Sequence, residues 1–431
     1  MEKRAVKFGG TSLCDAAQMQ KAAEIVRADP RRCAVVVSAP GKRMRDDEKI
    51  TDVLLRMEKA RTFAERNAIF KTVEARFDAM IKELSLSLDF SEEYRYIREE
   101  AFGDFLISRG EYFCAVIFAA LLGFAFIDAG EVIFFKENGA TDTEKTRKIF
   151  SERLEKTPYA VIPGFYGRTE AGGIRLFPRG GSDITGALAA DALHASLYEN
   201  FTDVSGFLLT DPRIIPHAAT VPCLSYGELR KLSSMGAFVL HADAILPLCD
   251  KKIPVVIRNT NEPEGACTVI GERVSPHTVG GIVGGGGYTL FSVFRTGIGE
   301  RIEELRAVLA LFERYTKMIY SVPHAVDAVG ILVKSEDIRK SKDILIRALT
   351  DELAAEKVVA RENIALLSVV GEGSAEKYSS LILHAMQERG AVPILLDSGA
   401  DTLGMTVGFD EKYLEMLISD LYLYAEKDIF R

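Results

Sequence analysis

The sequence contains no tryptophan and only six cysteines among 431 residues, and no two of the cysteines form a Cys-x-x-Cys pair. Cysteines spread out in this way are typical of reduced, mostly buried thiols, which predicts a cytoplasmic protein without a disulfide framework. Two phosphate-binding signatures are also missing: the GxxxxGK[ST] loop, and a GxGxxG turn followed by an acidic residue. The sequence therefore disfavours a P-loop enzyme and a dinucleotide-dependent oxidoreductase.

Long apolar runs and an excess of positive charge are scarce as well. No run is expected to approach the ~18 residues of a membrane-spanning helix. The chain starts with a strand pattern rather than with a charged and then apolar leader. The net charge is −8, so nothing draws the whole chain toward nucleic acid or anionic lipid. We expect neither a nucleic-acid nor a membrane partner.

Short apolar runs alternate with amphipathic helical patterns through residues 1–275. The predicted strands are Ala5–Phe8, Cys33–Ser38, Phe124–Asp128, Val132–Phe135, Tyr159–Pro163, Phe201–Val204 and Ile253–Arg258. The predicted helices include Lys59–Leu84, Tyr112–Leu122 and Thr185–Ser196. Continuous apolar strands in this alternation are typical of a mainly parallel sheet that is covered by helices. The sequence therefore predicts an α/β fold for this part.

The pattern changes near Gly280–Gly287, a stretch that holds six glycines and suits a hinge or linker. Smaller alternations follow. Strands are predicted at Tyr288–Thr296, Tyr315–Val322, Ala328–Lys334, Ile364–Val370, Val392–Asp397 and Leu403–Phe409. Helices are predicted at Gly299–Glu313, Ile338–Leu353, Ser374–Arg389 and Lys412–Ala425. Two ferredoxin-like βαββαβ units fit this order.

Two glycine turns are the strongest candidates for a functional site. Lys7-Phe-Gly-Gly-Thr-Ser12 follows the first predicted strand, and Pro178-Arg-Gly-Gly-Ser-Asp183 leads into the predicted Ala-rich helix. Glycines let the backbone approach a ligand closely, and N–H groups at a helix start can hold anions. Because such turns meet at one edge of an α/β sheet, they would bring two anionic molecules together, as phosphoryl transfer requires.

Further motifs accompany the two turns in a fixed order. They are Ser108-Arg-Gly-Glu111, Val161-Ile-Pro-Gly-Phe165, Phe201-Thr-Asp-Val-Ser-Gly206 with Asp211-Pro-Arg213, Gly236–His241 and Ile253–Thr260. Together with KFGGTS and RGGSD, this set resembles the aspartokinase branch of the amino-acid kinase family. The C-terminal part resembles the paired ACT regulatory domains of the same proteins.

The resemblance implies an α/β/α sandwich with a mainly parallel sheet, followed by two ACT units. It implies a catalytic domain over residues 1–275, with an aspartate lobe at about 1–200 and a nucleotide lobe at 201–275. Residues 276–431 would form the paired ACT domains, through which a homodimer is expected. The activity implied is transfer of the ATP γ-phosphoryl group to the β-carboxylate of L-aspartate, the first step toward lysine, threonine and methionine.

The resemblance also assigns roles to individual residues. ATP would be bound by Lys7, Gly9, Gly10, Ser38, Thr202, Asp203, Asp211 and Arg213. L-aspartate would be bound by Thr51, Glu111, Arg179, Ser182 and Asp183. Catalysis would depend on Lys7 and on Asp183, with Asp183 orienting groups rather than removing a proton. Mg²⁺ would be held mostly by the ATP phosphates, and Asp183 is the one candidate side-chain ligand.

Some positions depart from the family pattern and leave alternatives open. Phe238 stands where relatives usually have lysine, and the effector-binding segments of the ACT region are only partly matched. One alternative is a kinase for glutamate, N-acetylglutamate or a nucleotide. Another is an impaired enzyme that only binds an effector such as lysine or threonine. The charged stretch Lys42–Lys49 is either a solvated loop or a lid over the substrates.

Overall fold

The computed structural model describes residues 2–178, 180–236, 244, 246–272, 279–398 and 403–429. The described residues within 1–207, 220–233 and 238–275 form one compact unit. Those within 208–219, 234–237 and 276–431 form a second. Each unit is treated by itself below.

The strands of the described chain follow in sequence order. They are β1 (Arg4–Phe8), β2 (Arg32–Val37), β3 (Ala125–Phe126), β4 (Phe134–Phe135), β5 (Ala160–Pro163), β6 (Tyr166–Thr169), β7 (Ile174–Leu176), β8 (Leu197–Thr202), β9 (Phe207–Leu208), β10 (Thr220–Val221), β11 (Cys223–Ser225), β12 (Val255–Asn259), β13 (Thr268–Gly271), β14 (Gly281–Phe294), β15 (His324–Ala325), β16 (Ala328–Lys334), β17 (Lys357–Val370), β18 (Leu395–Asp397) and β19 (Gly404–Asp410).

The α-helices are numbered in the same way. They are α1 (Ala16–Ala28), α2 (Ile50–Glu58), α3 (Phe63–Glu83), α4 (Ser91–Glu99), α5 (Gly103–Leu122), α6 (Ala129–Val132), α7 (Thr143–Lys156), α8 (Gly181–Ala192), α9 (Tyr226–Ser234), α10 (Leu246–Cys249), α11 (Ile302–Glu313), α12 (Ser335–Ile338), α13 (Lys342–Leu353), α14 (Ser374–Glu388) and α15 (Leu414–Ile429). Short 3₁₀ helices lie at Thr11–Leu13 and Glu411–Tyr413.

The first unit is built on a sheet of eight described strands in the order β11-β13-β12-β8-β1-β2-β5-β3. All neighbours in this sheet are parallel except β12 and β13. The apolar strands β1, β2 and β5 lie buried at its centre. The predicted mainly parallel α/β fold is therefore confirmed. The parallel order also brings the carboxyl ends of β1, β2, β5 and β8 to one edge.

Side chains on β1 alternate between the two faces of this sheet, as strand geometry requires. Phe8 stacks on Phe201 with ring centroids 5.2 Å apart and meets the edge of Phe118, so it faces α5. Its neighbour Lys7 points to the opposite face and contacts Asp183 of α8. The alternation that anchors β1 in the core thus also directs the lysine ammonium to the α8 side.

Side-chain caps start two helices of this unit. Asp15 caps α1, because its Oδ1 accepts a hydrogen bond from the Gln18 N–H at 2.8 Å. Val132–Phe135 is wrong as a continuous strand: α6 ends at Val132, and β4 occupies only Phe134–Phe135. The chain turns here because the Asp128 side chain caps α6.

The expectation about long apolar runs is also wrong. Helix α5 spans 20 residues and contains an 18-residue stretch with a mean hydropathy of 1.7, so by length and composition it could cross a membrane. However, 67% of this stretch is buried inside the protein, where it packs beneath the central sheet. Core helices share this composition, and the polar Arg109 and Glu111 lie in the middle of α5. We therefore interpret α5 as a core helix.

The second unit contains an antiparallel sheet of six described strands in the order β15-β16-β14-β17-β19-β18. Strands β14 and β17 have 14 residues each and pair along most of their lengths. They join two α/β halves into one sheet, with α11 to α13 packed on one half and α14 and α15 on the other. This arrangement agrees with the predicted pair of ferredoxin-like units, although the units share strands.

The predicted linker at Gly280–Gly287 is wrong, because Gly281–Gly287 forms the first half of the central strand β14. The register shifts after Gly285, and Gly287 has φ +78°, so a bulge interrupts the pairing with β17. Glycine is needed where α15 approaches: a Cβ on Gly284 would lie 2.7 Å from the Leu414 side chain. Close packing, rather than flexibility, explains the glycines, and periodicity alone could not separate these causes.

The predicted strand Tyr315–Val322 is also absent from the described structure as a regular element. Only single backbone contacts of Tyr320 and Ser321 with Leu332 align this segment beside β16. In contrast, Ala328–Lys334 is a strand with the predicted bounds.

Two glycines of β14 provide a test of this packing. Gly284→Ala should destabilise the protein by about 1–3 kcal/mol, because its methyl group would also lie 3.1 Å from the Leu366 carbonyl oxygen. Gly285→Ala, where no atom lies within 4 Å of the added carbon, should be neutral or stabilising by up to about 1 kcal/mol. Urea unfolding of both variants measures the difference. Equal stabilities would contradict the close-packing interpretation.

Candidate active site

A cleft of about 410 Å³ opens in the first unit where β1, β2, β5 and β8 end. Its walls come from the turns that follow these strands, from the start of α2 and from the start of α8. The lining residues are Lys7, Gly9, Gly10, Thr11, Ser38, Ala39, Gly41, Lys49, Thr51, Glu111, Phe165, Gly180, Gly181, Ser182, Asp183, Thr202 and Asp203.

The structure brings most of the predicted site residues together in this cleft. They are Lys7, Gly9, Gly10, Ser38, Thr51, Glu111, Ser182, Asp183, Thr202 and Asp203. Arg179 and Phe238 lie outside the described residues. Asp211 and Arg213 belong to the second unit, where the Arg213 Nε donates to Asp211 Oδ1 at 3.0 Å. The two glycine turns therefore share one cleft.

The ammonium group of Lys7 is held by two partners. Its Nζ lies 2.6 Å from Asp183 Oδ1 and 3.5 Å from Asn200 Oδ1, and the Asn200 Nδ2 donates to Asp183 Oδ1 at 2.9 Å. The strand register pairs Lys7 of β1 with Asn200 of β8. Only 8% of Lys7 is exposed, so the cation sits at a fixed point of the cleft wall.

Asn200 is a site residue that the motif analysis missed. It lies in β8, an otherwise buried strand, and is itself only 3% exposed. A polar side chain within a buried strand is a signal that the sequence does contain, since such groups need hydrogen-bond partners. The identity of those partners depends on strand register, which the local sequence does not reveal.

The N–H groups of the first glycine turn differ in their availability. The Gly9 N–H donates to the Phe201 carbonyl oxygen at 2.9 Å, so this group is already engaged, and a contact of Gly9 with ATP stays a prediction. The N–H groups of Gly10 and Thr11 make no backbone hydrogen bond within the described chain. These two N–H groups begin the 3₁₀ helix at Thr11–Leu13 and are the available donors of the turn.

Gly10 and Gly41 touch backbone to backbone. The Gly41 N–H donates to the Gly10 carbonyl oxygen at 2.7 Å. A Cβ on Gly10 would lie 2.6 Å from the Ala39 carbonyl oxygen, and a Cβ on Gly41 would lie 2.7 Å from the Gly10 carbonyl carbon. No side chain fits at either position, so the turn after β1 and the segment after β2 form one closely packed wall of the cleft.

The second glycine turn opens α8 four residues before the predicted start at Thr185. Gly180 caps the helix with φ +79°, a conformation that favours glycine. Ser182 and Asp183 consequently lie in the first turn, where the helix dipole favours negative charge. The N–H groups of Gly181 and Ser182 make no backbone hydrogen bond within the described residues, so they can receive an anion.

Glu111 is a buried carboxyl group beside the cleft. It is 4% exposed, and its Oε2 has no hydrogen-bond partner among the described residues. Burial raises the pKa of Glu111 to about 8, although a backbone hydrogen bond from Ala39 opposes this shift. Glu111 is therefore mostly protonated at neutral pH in the free protein, and a cation next to it would favour the carboxylate.

No group of three or more His, Cys, Asp or Glu side chains suitable for a metal ion occurs in the part of the chain that is described. Asp183, the predicted side-chain ligand, is already paired with Lys7 and Asn200. These residues do not form a dedicated metal centre. In contrast, a fixed ammonium group between two sets of available N–H groups suits phosphate and carboxylate oxygens.

Comparison with known proteins identifies close parallels. Residues 2–259 match the amino acid kinase family. Along nearly its whole length, the chain is similar to Aspartokinase 3 of Bacillus subtilis (strain 168), with 28% identity over 443 residues, which cover 97% of this chain and 98% of that protein.

Solved structures give the same result. Clostridium acetobutylicum aspartate kinase, an allosteric enzyme, has a TM-score of 0.87 at 32% identity, with 98% of this chain and 99% of that chain covered. E. coli aspartokinase III is similar in its complexes with aspartate and ADP and with lysine and aspartate. The TM-scores are 0.78 and 0.76 at 22% and 23% identity, with at least 98% of each chain covered. At that identity, the E. coli comparison supports the fold.

The two glycines of the first turn should differ in their tolerance of a side chain. Gly10→Ala should lower the free energy of unfolding by about 1–3 kcal/mol, because its Cβ meets the backbone at 2.6 Å. Gly9→Ala is the matched control, since its nearest neighbour lies at 3.5 Å, an ordinary contact distance. Chemical denaturation measures both. A larger loss for Gly9→Ala would contradict the described contact between the two walls.

Glu111 should make stability depend on pH in a distinctive direction. Because its pKa is raised on folding, the native state keeps a proton that the unfolded state loses between pH 4.5 and about 8. Stability should therefore fall as pH rises through this range, by at most about 1.4 kcal/mol per pH unit.

Glu111→Gln should remove this contribution. Unfolding measured at pH 5, 6.5 and 8 should show the variant gaining stability relative to the wild type as pH rises. A difference that is independent of pH would refute the assignment of a raised pKa to Glu111.

Proposed function

This chain belongs to the amino acid kinase family, and we propose that it is an aspartate kinase, which transfers the γ-phosphoryl group of ATP to the β-carboxylate of L-aspartate. The observation that carries the proposal is the fixed Lys7 ammonium between two glycine turns with available N–H groups. Similarity to aspartokinases along nearly the whole chain supports it.

The acceptor carboxylate needs no strong general base. Its ordinary pKa is about 3.9, so it is already ionised at neutral pH. The barrier comes instead from bringing a carboxylate up to a triphosphate, because both are anions. Lys7 reduces this repulsion with a charge that Asp183 and Asn200 hold at one position. Asp183 therefore acts by orienting the ammonium group rather than by removing a proton.

The remaining contacts fall into a nucleotide group and an amino-acid substrate group. In our proposal, the N–H groups of Gly10 and Thr11 receive ATP phosphate oxygens, and Ser38, Thr202 and Asp203 contact the same nucleotide. Asp211 and Arg213 stay predicted nucleotide contacts. The side chains around the amino-acid substrate would be Thr51, Glu111, Arg179, Ser182 and Asp183.

Glu111 would meet the α-ammonium group of L-aspartate. Its buried Oε2 has no partner among the described residues, and an arriving ammonium group would supply both the missing hydrogen bond and a compensating charge. In our proposal, the carboxyl group releases its proton to the solvent and becomes a carboxylate when the substrate binds. This exchange favours a free amino acid over an N-acylated one.

Mg²⁺ would arrive bound to the ATP phosphates, because the described side chains offer it no cluster of ligands. When bound, it would neutralise part of the phosphate charge. Asp183 is already paired with Lys7, so its proposed role is to orient the ammonium group.

The second unit would be regulatory. We propose that its two α/β halves are ACT domains that bind an amino-acid effector such as lysine or threonine and pair two chains into a homodimer. Residues 1–275 would be the catalytic domain and residues 276–431 the ACT region. A cytoplasmic location belongs to the same proposal. Calorimetric titration with lysine and threonine tests the effector, and light scattering tests the dimer.

A hydroxylamine assay tests the activity itself. The purified protein is incubated with ATP, Mg²⁺ and L-aspartate, and the acyl phosphate is trapped as a coloured hydroxamate. We expect product with L-aspartate and little or none with L-glutamate or N-acetyl-L-aspartate. Turnover of L-glutamate alone would replace the proposal with a different member of the family.

Loss of the Lys7 ammonium group should have a large effect. Lys7→Ala should reduce kcat by about 100-fold or more, because the charge at the phosphates disappears. The control is Lys148→Ala, which removes an exposed lysine of α7 in the same unit and should leave kcat unchanged. ADP release measured in a coupled assay compares the two variants. A wild-type kcat for Lys7→Ala would remove Lys7 from the mechanism.

A further inference from the structure

Arg76 is a buried arginine on α3 whose guanidinium group binds three backbone carbonyl oxygens and pairs with one acid. It is only 8% exposed. Its Nη2 donates to the carbonyl oxygens of Cys14, at 2.9 Å, and of Gly41. Its Nη1 donates to the Glu48 carbonyl oxygen at 3.0 Å and lies 3.6 Å from Asp47 Oδ2. One side chain thus contacts two segments of the chain, one at Cys14 and the other at both ends of the stretch Gly41–Glu48.

These segments are the ones that form one wall of the cleft. Cys14 directly follows the 3₁₀ helix Thr11–Leu13, which starts at the first glycine turn. Gly41 is in backbone contact with Gly10 and lines the cleft. Glu48 immediately precedes Lys49 and the start of α2, where the lining residues of that segment lie.

The Gly10–Gly41 contact has little support of its own. It consists of one backbone hydrogen bond between two residues without side chains. Arg76 binds the chain on both sides of it, at Cys14 and at Gly41. A planar guanidinium group can bind several carbonyl oxygens at once in a fixed geometry, whereas an ammonium group acts as a point charge.

The charged loop Lys42–Lys49 is tied to the same arginine. Asp47 accepts hydrogen bonds from the Arg43 Nε at 2.8 Å and faces Arg76. These contacts hold the pKa of Asp47 below its ordinary value, chiefly through the hydrogen bond from Arg43. The end of the loop that joins the cleft wall is therefore anchored.

We infer that Arg76 is a positioning residue for phosphoryl transfer: it locks the first glycine turn and the Gly41–Lys49 segment together, so that the N–H groups of Gly10 and Thr11 keep their places in the cleft. This inference rests on the proposed function, since it assigns the locked wall to the nucleotide. Arg76 acts through these segments and not through direct contact with the reactants.

Arg66 provides a matched control on the same helix. It is also buried, at 6% exposure, and its guanidinium group also binds three carbonyl oxygens, those of Ile97, Arg98 and Ala101. Those carbonyls lie in the last turn of α4 and directly after it, and none of these residues lines the cleft. Both arginines therefore bind backbone carbonyl oxygens of neighbouring segments, but of the two only Arg76 binds segments that line the proposed active site.

The experiment compares Arg76→Met and Arg76→Lys with Arg66→Met and Arg66→Lys in the full chain. Thermal unfolding reports stability, and hydrogen–deuterium exchange reports the local structure of peptides covering residues 9–14, 41–49 and 97–101. Steady-state kinetics report KM for ATP and kcat per folded enzyme. A purely structural role reduces the amount of folded enzyme and leaves KM unchanged, so KM is the deciding measurement.

We expect both Met variants to lose thermal stability to a similar degree. Arg76→Met should speed exchange in 9–14 and 41–49 and raise KM for ATP by about 10-fold or more, because small displacements of positioning groups are costly. Arg66→Met should speed exchange in 97–101 and leave KM for ATP at the wild-type value. Arg76→Lys should fall between Arg76→Met and the wild type, and it replaces Arg76→Met if that variant does not fold.

Three results would overturn the inference. They are a wild-type KM for ATP in a folded Arg76 variant, an equal rise of KM in the Arg66 variants, and unchanged exchange in 9–14 and 41–49. Failure of the proposed function gives a different pattern. In that case, the wild-type protein itself makes no hydroxamate from L-aspartate, while the exchange data still decide whether Arg76 locks the two segments.

Discussion

The structure of the cleft depends on one fixed positive charge. Lys7 is buried at the end of a central strand, and Asp183 and Asn200 hold its ammonium group from two other elements. Two anionic reactants can approach each other only where such a charge is already in place, because a flexible, solvated lysine would have to reorganise first. The parallel sheet meets this condition, since it brings the ends of β1 and β8 and the start of α8 to one edge.

The rest of the cleft is made of backbone rather than of long side chains. Gly10 touches Gly41, and Gly164 approaches Ser182 so closely that a Cβ would lie 2.7 Å from the serine Cβ. Walls of this kind place N–H groups within reach of an anion but have few contacts to keep them rigid. Buried side chains behind the walls must supply that rigidity. The carbonyl contacts of Arg76 have this role on one side, and the packing of Phe177 against Gly181 has it on the other.

Much of this site was predictable because its signals are local. A glycine turn after an apolar strand marks Lys7, Gly9 and Gly10 within six residues of sequence, and most of the predicted side chains do line the cleft. Non-local features were missed. Asn200 contacts Lys7 across 193 residues of sequence, through a strand register that no motif encodes. The hydrogen bond from the Gly9 N–H to Phe201 was missed for the same reason, because it depends on the pairing of β1 with β8. Gly281–Gly287 resembles a linker in composition, whereas only the approach of α15 explains its glycines as part of a strand.

The chemical properties of Glu111 depend on its burial in the fold as well as on its motif. The sequence places a glutamate in an apolar helix, but burial raises the pKa of its carboxyl group and leaves its Oε2 without a partner among the described residues. Such a group is costly unless a ligand completes it. A substrate with only negative charges would keep it protonated, whereas one with an ammonium group next to its carboxylates would ionise it and gain a buried ion pair. In the proposed function, the cleft would therefore combine a cation for the reacting carboxylate with a latent anion for the amino group. This pairing would favour a free amino acid over other carboxylates.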